Sequence, residues 1–414
     1  RSLQLERLRD RVAYVYDRVP VYRQRLDEAS IAAADIRTLD DLHCLPFTKK
    51  KDLRDYYPTG LLAMPLAECA RVHASSGTKG KPTIVAYSCR DLQVWSEVCA
   101  RSIVSSGGRR GDVLQVAFGY GLFTGGLGFH QGAELLGCTV IPASSGNSAR
   151  QVLLLQDLQA RGLCCTPSYA LSLADTMSEM GVSLDQLDLR YGVFGAEPWT
   201  DGLRDQIEAR LGLQAFDAYG LSEICGPGVA VECQEKHGLH IWEDHFLPEI
   251  VDPATGEPLP LGATGELVLT NLTKEALCLL RYRTGDLTSL HDEPCSCGRT
   301  HLRMSRVTGR VDDMLIIRGV NVFPSEVEAV LLDAPEVAPH YQLVVRRQGP
   351  LDDLEVQIET AFELNEEVRV ALQHRLGRIL RNRLGIGCSV AIQPPKTIPR
   401  SEGKAIRVVD RRHL

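Results

Sequence analysis

Apolar positions follow different patterns in two parts of the chain, and the pattern changes near residue 310. In the first part, short apolar runs typical of buried strands occur at 113–117, 139–141, 192–195 and 267–270. Between such runs, residues 91–105 have the periodicity of an amphipathic helix, with Trp95 and Cys99 on its apolar face. Strands that alternate with helices predict a multi-layer α/β domain for residues 1–309.

A smaller α+β domain is predicted for residues 310–414. Its expected elements are a strand at 315–317, a turn at 321–324, a strand around Leu354 to Ile358 and a strand at 389–393. Ser325 and Glu328 have capping-box spacing for one helix. Val368, Leu372, Leu376 and Ile379 form the stripe of a second helix, which Gly385 ends. With a polar loop at 396–403, the expected order is β-α-β-β-α-β.

Composition excludes several classes of partner. Apolar residues make up 44% and charged residues 24%, and 46 basic against 53 acidic residues give a net charge of -7. This balance predicts binding to neither nucleic acid nor a membrane surface. The most apolar stretch, 113–129, contains several glycines and predicts a glycine-rich turn that lines a pocket. The 13 irregularly spaced cysteines and the lack of a secretory signal before the amphipathic stretch 3–19 predict a cytoplasmic protein with reduced thiols.

The segment SSGTKGKPT at 75–83 has the residues that a phosphate site requires. Glycines allow main-chain N–H groups to approach an anion, hydroxyls donate hydrogen bonds, and lysines supply charge. The spacing differs from a Walker loop, and a β-rich segment follows where a Walker loop would open a helix. Considered alone, the segment is equally typical of a solvated hairpin turn.

Further motifs follow this loop in a fixed order. They are GAEPW at 195–199, DAYGLSE at 217–223, YRTGDL at 282–287, GRVDDMLIIRGVNVFPSEVE at 309–328 and IPRSEGK at 398–404. Together they resemble the adenylate-forming superfamily, and FGYGLFTGGLGFHQGAELLGCTVIP at 118–142 with GLHIWEDHFLPEIVDP at 238–253 resembles its phenylacetate-CoA ligases. The resemblance implies a large adenylation domain, a small mobile lid domain and a homodimer. It also implies an enzyme that uses ATP, Mg²⁺ and CoA to convert an aromatic acid into its CoA thioester through an acyl-AMP.

The resemblance assigns the ATP site to the first part of the chain. Its expected members are Ser75, Ser76, Gly77, Thr78, Lys79, Gly80, Gly195, Ala196, Glu197, Pro198, Asp217, Ala218, Tyr219, Gly220, Asp286 and Arg310. Among them, Tyr219 is expected to stack on adenine and Asp286 to accept hydrogen bonds from the ribose hydroxyls. Lys81 is expected to hold the departing phosphates and Glu223 to bind Mg²⁺, a hard ion that prefers carboxylate ligands.

Two further residues are expected to govern the reaction cycle. Lys404 resembles the lysine that bridges the acyl carboxylate and the α-phosphate, and Asp312 resembles the hinge about which the lid domain turns. Without the other motifs, both would be interpreted as ordinary solvated charges. Because this bridge is needed only while the acyl-AMP forms, Lys404 is expected to matter for acyl-AMP formation and much less for thioester formation.

The acyl pocket is expected at Tyr120, Gly121, Phe123, Phe129, Gly226 and Pro227. The aromatic members suit a flat ring, although each is equally typical of a core residue. The phenylacetate-CoA ligases more often have a small residue at Phe129 and an aromatic residue at Gln131. The acid is accordingly either phenylacetate-type or benzoate-type, for example an anthranilate.

Four residues resemble a structural zinc site of some phenylacetate-CoA ligases: Cys233, His240, Cys295 and Cys297. Three thiolates and one imidazole suit tetrahedral Zn²⁺. His237 and His245 are alternatives to His240, and unligated reduced thiols are the ordinary alternative to a metal.

Two other functions remain open at this point. The acyl group could pass to a carrier protein or an amine instead of CoA, since no motif excludes either acceptor. A non-enzymatic nucleotide-binding protein is the other alternative, and the joint presence of Glu223, Asp286, Arg310 and Lys404 argues against it.

Overall fold

The structure is a computed structural model that describes residues 1–75, 82–311, 315–318, 320–348, 351–399 and 406–412. The helices are α1 (Ser2–Arg18), α2 (Pro20–Ala29), α3 (Lys50–Asp55), α4 (Cys89–Ser105), α5 (Gly125–Leu136), α6 (Ser148–Asp157), α7 (Pro167–Met180), α8 (Asp201–Leu211), α9 (Pro324–Leu332) and α10 (Glu366–Leu384). The strands before residue 300 are β1 (Arg71–Ser75), β2 (Thr83–Tyr87), β3 (Val113–Val116), β4 (Thr139–Ile141), β5 (Gly162–Cys165), β6 (Tyr191–Gly195), β7 (Gln214–Leu221), β8 (Gly226–Glu232), β9 (Leu239–Ile241), β10 (Phe246–Val251), β11 (Gly265–Asn271), β12 (Tyr282–Thr288) and β13 (Leu290–His291). The later strands are β14 (Arg303–Met304), β15 (Gly309–Arg310), β16 (Leu315–Ile317), β17 (Val320–Val322), β18 (Val337–Gln348), β19 (Leu351–Thr360), β20 (Ser389–Gln393) and β21 (Val408–Asp410).

The larger body is built on a mixed sheet with the strand order β13-β14-β9-β8-β7-β6-β5-β3-β4. Strands β3 to β7 are parallel, and the strands from β8 outward are antiparallel. Parallel strands need helical crossovers, which α5 to α8 provide on the faces of the sheet. The α/β class predicted for this part is confirmed.

A second sheet, β10-β11-β12-β15, and the hairpin β1-β2 complete the larger body. Strand β15 pairs with β12, so that Arg310 lies directly opposite Asp286. The predicted helix in 91–105 is present as α4, and Ser88 caps it by accepting a hydrogen bond from the Asp91 N–H. The glycine-rich turn predicted for 113–129 is wrong at its end, because α5 begins at Gly125. Three of its glycines approach other groups closely, including Gly128 against Trp95, which favours a packed helix over an open turn.

The C-terminal body has its own buried apolar core and the sheet β20-β19-β18-β21. Its order is β-β-α-β-β-α-β-β, so the predicted β-α-β-β-α-β order omitted the strands β17 and β21. The predicted turn at 321–324 is wrong, since β17 runs through Asn321 and hairpins with β16. The predicted capping box is also wrong: α9 starts at Pro324 with no side-chain cap, and the Ser325 hydroxyl donates instead to Thr308 O.

The apolar face of α10 differs from the prediction near its C-terminal end, where Leu380 is buried in place of Ile379. Leu372, Leu376, Leu380 and Leu384 are buried, whereas Val368 and Ile379 are more than 40% exposed. Spacing by four keeps one face of this helix on the sheet. Gly385 ends the helix in the left-handed conformation, as predicted.

The two bodies meet at α7, where Asp175 accepts a hydrogen bond of 2.6 Å from Arg210 and lies 3.7 Å from His340 of the C-terminal body. Lys396 forms an ion pair with Glu179 on the same helix. In the described part of the chain, no helix is long and apolar enough to cross a membrane.

Candidate nucleotide and acyl site

A cavity of about 180 Å³ opens where the parallel strands of the large sheet end. Its lining contains nine of the residues predicted for ATP: Ala196, Glu197, Pro198, Asp217, Ala218, Tyr219, Gly220, Asp286 and Arg310. They come from the ends of β6, β7, β12 and β15, so the fold brings four separate motifs to one place.

The wall contributed by GAEPW depends on tight backbone geometry. Gly195 lies against Ala218 O, where a Cβ atom would come within 2.2 Å, and Ala196 has a φ of 72°. Glu197 anchors the next turn by accepting a hydrogen bond of 2.7 Å from the Ser168 N–H. The segment therefore leaves the strand sharply and presents main chain to the cavity.

Three side chains define the polar end of the cavity. The Tyr219 hydroxyl donates to Asp286 at 2.6 Å, and Arg310 forms an ion pair with the other oxygen of the same carboxylate. Burial and the neighbouring Asp286 carboxylate raise the pKa of Tyr219, so the phenol is a hydrogen-bond donor at neutral pH. Asp286 is thus held in place as a hydrogen-bond acceptor.

A charge network lies behind the opposite wall and was not predicted from the sequence. Arg204 makes a bidentate ion pair with Glu232 at 2.7 and 2.8 Å, and Glu232 also accepts from the Asp217 N–H. Burial and the Glu232 carboxylate raise the pKa of Asp217. Arg306 lies 3.7 Å from Asp217, and it and Arg204 each lie about 5 Å from the Trp199 ring. These contacts hold Asp217 and Trp199 in place at the wall of the cavity.

Glu223 lies in the tight turn between β7 and β8 and is only 7% exposed. Its carboxylate has no hydrogen-bond or ion-pair partner among the residues that the structure describes. A buried carboxylate without a protein donor is unfavourable unless a cation or ligand satisfies it. The turn is therefore a suitable binding position for a hard metal ion.

The phosphate loop is described only at its edges. Ser75 ends β1 and pairs with Thr83 at the start of β2. Ser76, Gly77, Thr78, Lys79, Gly80 and Lys81 lie outside the described residues, as do Asp312 and Lys404.

Two of the predicted acyl residues, Gly226 and Pro227, lie against the buried indole of Trp95. Gly226 and Gly128 approach this ring closely, and Pro227 O accepts a hydrogen bond of 3.0 Å from its Nε1. Phe129 is 1% exposed and stacks on Phe118, with the ring centroids 5.8 Å apart. Phe129 is therefore part of the core that supports this region.

The more exposed acyl residues lie on the loop before α5. Phe123 is 40% exposed, and Gly121 has a φ of 108° that favours glycine. The Tyr120 hydroxyl lies 3.0 Å from His130 Nδ1, whose Nε2 lies 3.1 Å from Glu134. His130 and Glu134 were not predicted, since a histidine on a helix carries no positional signal of its own.

The four sulfur and imidazole side chains predicted for zinc come together. Their ligand atoms all lie within 4.8 Å of one another, and Cys297 Sγ is 3.4 Å from His240 Nε2. Burial lowers the pKa of His240 to about 4, so the imidazole is neutral at pH 7 and can ligate a metal. His245 instead contacts the Thr273 hydroxyl at 2.9 Å.

The comparisons with known proteins agree with this arrangement. Residues 10–272 match the AMP-binding enzyme family, and residues 319–412 match the AMP-binding enzyme C-terminal domain. A phenylacetate-coenzyme A ligase of Thermus thermophilus is 56% identical over 100% of this chain and 96% of its own length. The chain belongs to the AMP-binding enzyme family, in the group of the phenylacetate-coenzyme A ligases.

A solved relative places the overall conformation. The crystal structure of 2-hydroxyisobutyryl-CoA ligase in the postadenylation state with 2-HIB-AMP superposes with a TM-score of 0.91. The two sequences are 29% identical, and the superposition covers 99% of this chain and 89% of the chain of that ligase. The same enzyme in the thioesterification state, with 2-HIB-AMP and CoA, gives a TM-score of 0.74 at 30% identity, over 100% and 90% of the two chains. The two bodies are therefore arranged more as in the postadenylation state.

Proposed function

We propose that the protein is an ATP-dependent aryl-CoA ligase that forms an acyl-AMP and then transfers the acyl group to CoA. Two observations carry the proposal in a chain of this family: Asp286 contacts both Tyr219 and Arg310, and the buried Glu223 carboxylate has no partner among the residues that the structure describes. An acid-thiol ligase needs a nucleotide held by its ribose next to a metal-binding carboxylate, and the site provides both.

The residues contribute mainly positioning and charge. The Asp286 carboxylate accepts hydrogen bonds from the ribose hydroxyls, and the ion pair with Arg310 holds that carboxylate in place. The wall formed by Ala196 to Pro198 and the Tyr219 ring enclose adenine. Lys81 neutralises the departing pyrophosphate, and Lys404 bridges the acyl carboxylate and the α-phosphate. This bridge places a cation where negative charge develops during attack.

Mg²⁺ fits the Glu223 turn, because this buried carboxylate has no other partner in the described part of the chain. Glu223 would hold the ion together with phosphate oxygens of ATP, as is usual for Mg²⁺ in nucleotide sites. When bound, the ion neutralises charge on the phosphates during displacement of pyrophosphate. Glu223 would determine where the ion sits relative to the phosphates.

A structural Zn²⁺ fits the cluster of Cys233, His240, Cys295 and Cys297, since three thiols and a neutral imidazole converge without a disulfide among the described cysteines. The ligands follow β8, lie in β9 and lie in the loop before β14. The ion would fasten the edge strands of the large sheet behind the adenine pocket. It takes no part in the reaction.

The preferred substrate is a phenylacetate-type acid, in line with the activity named for the Thermus relative. Phe129 packs in the core and supports the pocket from behind, so the bulky residue at this position does not by itself fill the ring-binding space. The exposed aromatic Phe123 and the Tyr120 hydroxyl remain the groups that meet the aromatic acid. The anthranilate alternative therefore has less support.

A panel of acids tests this function. Phenylacetate, benzoate, anthranilate and hexanoate are incubated with ATP, Mg²⁺ and CoA, and both AMP and the thioester are quantified. We expect phenylacetate to give equal amounts of AMP and phenylacetyl-CoA, at a higher kcat/KM than the other acids. AMP release without thioester, followed by transfer to a phosphopantetheinyl carrier, would favour the carrier-protein alternative.

A further inference from the structure

The turn that carries Glu223 is held by buried side chains that belong to none of the motifs. Lys274 Nζ donates to Ile224 O at 3.0 Å and lies 3.4 Å from Glu223 O. A second donor, Asn271 Nδ2, lies 3.2 Å from the same Ile224 carbonyl. Buried carbonyls need such donors, and a charged donor gives the stronger hydrogen bond.

The other two carbonyls of the turn are satisfied from the phosphate-loop hairpin. The Tyr87 hydroxyl lies 3.1 Å from Cys225 O and 3.4 Å from Ser222 O. Tyr87 ends β2, the strand that leaves the predicted phosphate loop. The ammonium group of Lys274 lies 4.4 Å from the centroid of this tyrosine ring. Lys274 and Tyr87 therefore join the metal-binding turn to the phosphate-binding hairpin.

Lys274 is itself fixed in place. The Asp91 carboxylate, at the start of α4, accepts the N–H groups of Glu275 at 2.7 Å and Ala276 at 3.0 Å. Lys274 is 6% exposed, and among the residues that the structure describes its ammonium group forms no ion pair with a carboxylate. A buried cation is costly, so its charge is expected to serve the carbonyls that it contacts.

We propose that Lys274 is a positioning residue, which holds the turn so that the Glu223 carboxylate stays directed at the divalent cation of bound ATP. This inference rests on the proposed function, because it assigns Glu223 to the metal. A main-chain clamp leaves both carboxylate oxygens of Glu223 available, which a direct ion pair with Lys274 would not do. The clamp acts on the metal before and during acyl-AMP formation and has no role once acyl-AMP is made.

The test measures metal binding directly. Mn²⁺ replaces Mg²⁺, and free Mn²⁺ is followed by electron paramagnetic resonance in the presence of adenosine 5′-(α,β-methylene)triphosphate, which cannot react. Lys274→Met keeps the length of the side chain and removes its charge. We expect the Kd for Mn²⁺ to rise by about 10- to 100-fold, the usual effect of losing a residue that orients a metal ligand. Thioester formation from supplied phenylacetyl-AMP should stay at the wild-type rate.

Lys236→Met is the matched control, because Lys236 also lies over an aromatic ring but pairs with Glu208, away from the turn. It should leave the Kd for Mn²⁺ unchanged. An unchanged Kd in folded Lys274→Met, or an equal loss of both half-reactions, would overturn the proposal. If Lys274→Met does not fold, Tyr87→Phe replaces it in the test, since this change removes only the hydroxyl. Tyr87→Phe should weaken Mn²⁺ binding severalfold. An unchanged Kd for Mn²⁺ in this variant would refute the clamp. Failure of the proposed function would appear separately, as wild-type protein that releases no AMP with any acid.

Discussion

The Asp286 carboxylate of β12 contacts side chains from β7 and β15, and we propose that it also binds the ribose. Its two oxygens are shared between the Tyr219 hydroxyl and Arg310, and it is 5% exposed. Asp286→Asn should raise the KM for ATP by about 10- to 100-fold, since a hydrogen bond to a charged group contributes about 1.5–3 kcal/mol. Initial rates at varied ATP measure this.

Tyr219→Phe is the control for the same contact, because it keeps the ring and removes only the hydroxyl that donates to Asp286. Its effect on the KM for ATP should be smaller than that of Asp286→Asn. An unchanged KM in the asparagine variant would contradict the assignment of this carboxylate to ribose.

Among the elements, β8, β9 and the loop before β14 should depend on metal for their stability. Purified protein should contain about one Zn²⁺ per chain, as expected for a closed site with four ligands. Cys233→Ser should lose the metal and lower the Tm, because binding of the ion stabilises only the folded chain. Metal analysis and thermal unfolding measure both.

Cys164→Ser is the matched control for this experiment. Cys164 is also a buried cysteine, but it lies in β5, away from the cluster. This variant should retain zinc whatever its Tm. Wild-type protein with much less than one zinc per chain would exclude the metal and leave the cluster as reduced thiols.

Most elements, and the grouping of nine predicted residues around one cavity, could be predicted from the sequence because both depend on local signals. Asp286, Tyr219 and Glu223 stand in motifs whose order along the chain is informative, and the buried strands have continuous apolar runs. Lys274 and Arg306 act through contacts with residues far from them in the chain. No local pattern marks such partners, and only the fold brings them together.

Local patterns were least informative at the ends of elements. The capping-box spacing of Ser325 and Glu328 matched a motif, but Pro324 starts α9 and Glu328 instead accepts a hydrogen bond of 2.9 Å from Tyr341. Glu328 is 4% exposed, and this burial raises the pKa of its carboxyl group. Tertiary contacts determined the role of this residue.

The whole molecule has an interface between its two bodies that should respond to pH. Burial opposes ionisation of Asp175, but the nearby His340 and the hydrogen bond from Arg210 lower its pKa from 3.8 to about 2. Because the pKa of Asp175 is lower in the folded than in the unfolded chain, the ionised carboxylate stabilises the folded state at a pH above about 4. This contribution is lost as the pH falls from about 4 towards about 2. Thermal unfolding of Asp175→Asn should differ from wild type at pH 5 and converge with it as the pH falls.

Asp157→Asn is the control for this pH dependence, since Asp157 is an exposed aspartate at the end of α6. A difference in Tm between wild type and Asp175→Asn that stays constant over the same pH range would contradict the linkage. The domain boundary at residue 309, the motion about Asp312 and the homodimer stay predictions.

The central claim is that Lys404 serves acyl-AMP formation and is not needed for thioester formation, and measuring the two half-reactions separately tests it most directly. Wild type and Lys404→Ala are compared in phenylacetate-dependent exchange of pyrophosphate into ATP without CoA, and in formation of phenylacetyl-CoA from supplied phenylacetyl-AMP. We predict that Lys404→Ala loses at least about 10²-fold in exchange, as expected when a cation is removed from developing charge, and keeps the thioester reaction. Equal loss of both reactions, or wild-type exchange in the variant, would contradict the account.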